Sequence, residues 1–97
     1  MLNLDVFWKL RLMFPELTES QFQVLMFYAF GSDNESIADI LGCSVVAIKK
    51  TLQRIKQDLC IDKLDTARII YHSRIQTAMM APDDFPKKYY EAMNKKQ

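Results

Sequence analysis

The chain is 97 residues long and 49% apolar, with two Gly, three Pro and a formal net charge of +1. That length and composition describe one compact, mostly helical domain, and since the charge nearly cancels overall, any charged surface must be local. No apolar run approaches the roughly 18 residues of a membrane span, and Asp5, Lys9 and Arg11 interrupt the N-terminal MLNLDVFWKLRLMF before a signal-peptide core forms, so a soluble, cytoplasmic protein is expected.

Residues 2–14 read as an aromatic-rich helical segment with Leu4, Phe7, Trp8 and Leu12 on one face. Leu10, Met13 and Phe14 spread its apolar surface too widely for an exposed helix, so it should pack on the domain or on a partner. LTESQF at 17–22 is a capping box with a hydrophobic staple: Thr18 accepts from the Gln21 backbone N–H, Gln21 reaches back, and Leu17 packs on Phe22. Phe22, Leu25, Met26 and Ala29 then keep one buried helical face, and Gly31 is placed to end the helix in a left-handed conformation. The spacing predicts a helix at about 19–30.

SDNES at 32–36 starts a second helix, capped by Ser32 with Glu35 or by Asp33 with Ser36, that carries Ile37, Ala38 and Leu41 inward and stops at Gly42. Ser44 caps the third. A short helix, a tight turn containing Gly and a longer helix make a helix-turn-helix. At about 100° per residue, Val45, Ile48, Leu52, Ile55 and Leu59 form the core stripe of the helix at 45–59. The opposite side is Val46, Lys50, Gln53, Arg54 and Gln57, flanked by Lys49 and Lys56. Against four basic residues stands only Asp58, a local net of +3. Taken alone, this is what any solvated helix face shows. Behind a tight turn, a long face of Lys, Arg and Gln donors suits guanine and adenine edges and phosphates, which favours DNA binding.

Beyond it, Asp62 is expected to cap a helix in which Leu64, Ala67, Tyr71, Ile75 and Ala78 line one face. Ile69 and Ile70 fall outside that face, so they are either exposed or buried by the flanking segments. Met79 to Pro82 should stop the helix, and DDFPKKYYEAMNKKQ should add a short final helix before a basic tail, whose Tyr89, Tyr90 and lysines either solubilise the chain or touch DNA. The only histidine, His72, belongs to no recognisable catalytic arrangement and is expected on the surface or at an interface. Cys43 and Cys60 are too few for a disulfide framework and lack metal-ligand spacing, so they are expected to be reduced core thiols. With no Gly-rich phosphate loop, neither a cofactor nor a metal is expected, and the protein is not expected to be an enzyme.

The run LTESQFQVLMFYAFGSDNESIADILGCSVVAIKKTLQRIKQDLCIDKLDTARII resembles the LuxR/GerE-type helix-turn-helix domain over about residues 17–78. Matching positions are Leu17, Thr18, Val24, Leu25, Gly31, Asn34, Ile37, Ala38, Leu41, Ser44, Lys49, Ile55, Leu59 and Ala67, with Ile48 and Ile61 as conservative stand-ins. The resemblance implies an all-α fold, a small LuxR/GerE-type helical bundle containing a helix-turn-helix, with extensions at 1–16 and 79–97 making a single domain over 1–97. It implies a sequence-specific regulator of transcription in which Lys49 meets DNA at the groove edge, Lys50 and Gln53 point at bases, Arg54 and Lys56 hold phosphates, and Val46 touches a thymine methyl. It also implies a homodimer or a heterodimer with a related regulator, for which Ile69 or Ile70 is the candidate seam.

The departures are as informative. Ser20-Gln21 stands where the pattern has Arg-Glu, Glu35 replaces a basic residue, Ala47 a Thr, Thr51 a His and Leu64 an Arg. Asp33, Glu35 and Asp39 give residues 32–39 a local charge of −3, which should repel a phosphate strand lying close by. Two other classes therefore stand beside the regulator. One is a sigma-like subunit that touches RNA polymerase, against which the helix at 63–78 counts, because that domain usually ends with its recognition helix. The other is an interaction protein that has kept the helix-turn-helix core and lost its grip on DNA.

Overall fold

The computed structural model describes residues 9–95, and among them the regular elements are all helical. Five helices follow residues 9–11, which are themselves helical: α1 (Glu19–Ala29), α2 (Asn34–Leu41), α3 (Val45–Asp58), α4 (Leu64–Met80) and α5 (Phe85–Lys95). The expected placement of Leu4, Phe7 and Trp8 lies outside the described residues.

The local start signals act as expected for α1 to α3. Thr18 Oγ1 accepts from the Gln21 N–H at 3.2 Å while Gln21 Oε1 accepts from the Thr18 N–H at 2.8 Å, closing the capping box. Of the two caps open for α2, Asp33 is used: its Oδ1 accepts from the Ser36 N–H at 2.7 Å, which also holds the exposed Asp33 carboxyl below its ordinary pKa. Ser44 Oγ accepts from the Ala47 N–H at 3.1 Å. Between α2 and α3 the chain turns through Gly42 at φ +70°, and the Cys43 N–H returns to the Ala38 carbonyl at 2.9 Å. A left-handed residue is needed there, and glycine adopts it without a Cβ clash.

α4 departs from expectation. Its N-cap is Lys63, with no side-chain cap bond, rather than Asp62. The helix begins one residue too late for Asp62 to occupy the cap position, so its carboxylate does not reach the first-turn N–H groups. Both cysteines are exposed, not in the core: Cys43 lies in the turn before α3 and Cys60 just after α3, at φ +56°. Each falls where the chain reverses at the surface, and that position overrides the usual preference of cysteine for burial.

Leu25, Ile37, Ile55 and Ala67, one from each of α1 to α4, are fully buried and join these helices into one core. Of the stripe on α3, Ile48, Leu52 and Ile55 are buried, while Val45 and Leu59 pack half-buried at its ends. Phe14, Phe22 and Tyr71 form an aromatic cluster with centroids 5.5 to 6.1 Å apart, so the segment before α1 packs on the domain itself. Arg74 fastens it there, donating to both Glu16 carboxylate oxygens at 2.8 Å and to the Met13 carbonyl at 3.1 Å, with its guanidinium 4.9 Å from the Phe14 ring centre. Burial alone would raise the Glu16 pKa, but the Arg74 hydrogen bonds and charge outweigh it and hold the carboxyl below 4.5.

A depressed carboxyl pKa stabilises the fold above the unfolded-state value and stops doing so as pH falls through the folded-state value. Urea titrations should therefore show the parent losing stability below about pH 4.5, with a shallower loss in Glu16→Gln. At pH 7 Arg74→Met, which keeps much of the apolar stem, should cost about 1.5–3 kcal/mol, the range for hydrogen bonds to charged groups. A cost near zero would mean that the segment is held by Met13 and Phe14 alone.

Candidate nucleic-acid interface

With Ile48, Leu52 and Ile55 turned into the core, the geometry of α3 leaves the other side to solvent. Val46, Lys49, Lys50, Gln53, Arg54 and Gln57 are all exposed and line one shallow, open groove. At 1.5 Å per residue the 14-residue helix is about 21 Å long and carries these side chains along nearly its whole length. Lys49, Lys50, Arg54 and the half-buried Lys56 enter no ion pair among the described residues, so their charge is available to an external anion.

Two further grooves flank the helix. On one side Lys50 and Arg54 share a groove with Thr18, Ser20 and Gln21 at the N-terminus of α1. On the other, Lys49, Gln53 and Lys56 share one with Asn34 at the start of α2 and Leu64 at the start of α4. All six residues expected to meet DNA are thus brought together on α3 and its flanks. No carboxylate is among the described residues lining these three grooves. Asp33, which caps α2, Glu35 and Asp39 are not among the residues lining these three grooves.

Sequence reasoning missed Thr18, Ser20 and Asn34 as flanking groups. Thr18 and Ser20 lie some thirty residues from Lys50, and only the packing of α1 on α3 makes them neighbours. Thr51, which stands where the LuxR/GerE pattern has a His, turns back on its own helix, its hydroxyl donating to the Ala47 carbonyl at 2.9 Å.

The two seam candidates separate. Ile69 is 67% exposed, whereas Ile70 packs half-buried against the core. Phe30 is 71% exposed, with its ring 6.2 Å from that of His72, and the His72 Nε2–H donates to the Ala29 carbonyl at 3.0 Å. His72 is thereby a surface group tying α4 to the end of α1. Among the described residues no group of His, Cys, Asp and Glu has the disposition of a metal site, and no helix is long and apolar enough to cross a membrane.

A comparison with known families matches residues 7–59 to the family described as Sigma-70, region 4. The match spans more than half of the chain and runs from the N-terminal segment to the end of α3. No curated protein and no solved structure matches the chain at a significant level. The LuxR/GerE resemblance and this match meet in the same helix-turn-helix, but the family matched is the promoter-reading one that the helix at 63–78 was expected to count against. That expectation fails because the match ends at Leu59, so α4 is an element beyond the matched region rather than a departure within it.

Proposed function

The chain belongs to the Sigma-70, region 4 family, a helix-turn-helix DNA-binding fold, and from that premise we propose that it regulates transcription by laying α3 in the major groove of double-stranded DNA. The observation that carries this reading is the outward face of α3, where Lys49, Lys50 and Arg54 stand unpaired beside Gln53 and Gln57 with no carboxylate among the residues lining their groove. Lys50 and Gln53 read base edges, Val46 meets a thymine methyl, and Lys49, Arg54 and Lys56 hold phosphates. Regulation of the LuxR/GerE kind, by paired copies on a two-part site, is the finer form of this reading, and exposed Ile69 is then the seam. The protein performs no catalysis and needs no cofactor.

A second reading is favoured by a specific observation. Phe30, Ile69, Met79 and Met80 are large apolar side chains left between 67% and 80% exposed. They fit a protein that works by contact with a related regulator or with RNA polymerase. Selection from a randomised duplex pool, with bound DNA sequenced, separates the two. Under the first reading a motif is enriched, and Gln53→Ala relaxes preference at one or two positions by about 1–3 kcal/mol of discrimination while leaving the rest of the motif intact. No enrichment and no salt-dependent binding would leave the second reading standing.

A further inference from the structure

Asp58 is the only carboxylate between Asp39 and Asp62, and it sits at the end of α3 where the helix dipole disfavours an anion. It lies four residues after Arg54, one turn along the same helix, which makes Arg54 its natural ion-pair partner. The pair does not form. Asp58 Oδ2 accepts instead from Gln21 Nε2 at 2.9 Å, across to the N-terminus of α1. Gln21 is only 8% exposed, and its amide cannot turn over: Oε1 accepts from the Thr18 N–H at 2.8 Å as half of the capping box, which directs the NH2 group at Asp58. Arg54 is left without an ion-pair partner among the described residues, in the groove that it shares with Thr18, Ser20, Gln21 and Lys50.

We infer that Gln21 is a positioning residue: by holding the Asp58 carboxylate away from Arg54, it keeps the guanidinium free for a DNA phosphate. The inference rests on the DNA-binding reading above and adds to it a residue that acts through Arg54. Its logic is that of competition. A carboxylate within reach of Arg54 rivals the phosphate for the same donors, and an amide donor locked in place by a helix cap removes the rival.

The test is the salt dependence of DNA binding by Gln21→Glu, followed by fluorescence anisotropy on the selected duplex, with thermal melting recorded alongside. Glutamate preserves the shape and the acceptor for the Thr18 N–H, but it offers Asp58 no donor and repels it toward Arg54. Each phosphate contact contributes about 0.9 to the slope of log affinity against log salt. Gln21→Glu should flatten that slope by up to this amount, whatever its melting temperature. In an Arg54→Ala background the same substitution should change the slope no further, and adding Asp58→Asn to Gln21→Glu should restore it. An unchanged slope in Gln21→Glu would overturn the inference. So would a loss that persists undiminished without Arg54, because Gln21 would then act through its own charge or through the cap. If the parent chain showed no salt-dependent binding, the DNA-binding reading would fall first and this inference with it, a failure visible before any variant is made.

Discussion

Lys50→Glu is expected to lower affinity for the selected duplex by about tenfold to a hundredfold. The position lies at the centre of the outward face of α3 and borders two of the three grooves described above, so substitution there meets the DNA whichever way the helix tilts. A well-made base contact is worth about 1–3 kcal/mol, and a glutamate in its place adds repulsion from the neighbouring phosphates. Because Lys50 is exposed and enters no ion pair among the described residues, the fold should be nearly indifferent, within about 0.5 kcal/mol for a surface change of this kind. Arg54→Ala should differ in character, weakening all sequences alike and flattening the salt slope by about 0.9. Anisotropy titrations from low to physiological salt check both. Parent-like binding by Lys50→Glu would remove α3 from the interface and with it the regulator reading.

What the sequence made legible, it made legible locally. Thr18 with Gln21, and Ser44, announce helix starts through side chains that reach only three residues along the chain, and the structure closes both bonds. The outward face of α3 was equally legible, because a core stripe at helical spacing leaves only one side for Lys50, Gln53 and Arg54. Ser32 and Asp33 could not be told apart as caps, since both precede a suitable partner by three residues. Asp62 misled for a related reason: a capping residue type one position away from the helix start caps nothing.

The rest depends on contacts between distant parts of the chain. Arg74 meets Glu16 across 58 residues, Gln21 meets Asp58 across 37, and Ser20 and Arg54 come to line one groove. None of these has a spacing that a helical wheel could register. The same holds for the pair Ile69 and Ile70: adjacent on α4, both lie off its expected core face, and only the packing of neighbouring elements half-buries one and leaves the other in solvent. The acidic residues of α2 are instructive from the other side. Counting charge along the chain gives only their local sum, whereas the structure shows that none of them is among the residues lining the three grooves around α3.

Ile55→Ala should cost about 2–5 kcal/mol, the range for removing a large aliphatic side chain from a packed site. Ile55 is fully buried on α3, in the core formed with α1 and α4, and it adjoins the outward-facing Arg54 in sequence. For a domain whose whole stability is expected at about 5–15 kcal/mol, such a loss is a large fraction of the total. Urea unfolding should show a lower midpoint with the slope preserved, which marks a loss of stability rather than a change in the surface exposed on unfolding. The variant also separates folding from recognition. Its basic face is chemically intact, so DNA at about 100 times its Kd should return about 2.7 kcal/mol to parent and variant alike by binding the folded state only. A variant that regained nothing from the selected duplex, while the parent did, would show that Ile55 also sets the orientation of Lys50 and Arg54. A cost below about 1 kcal/mol would contradict the packing that puts those two side chains on the outside of α3 in the first place.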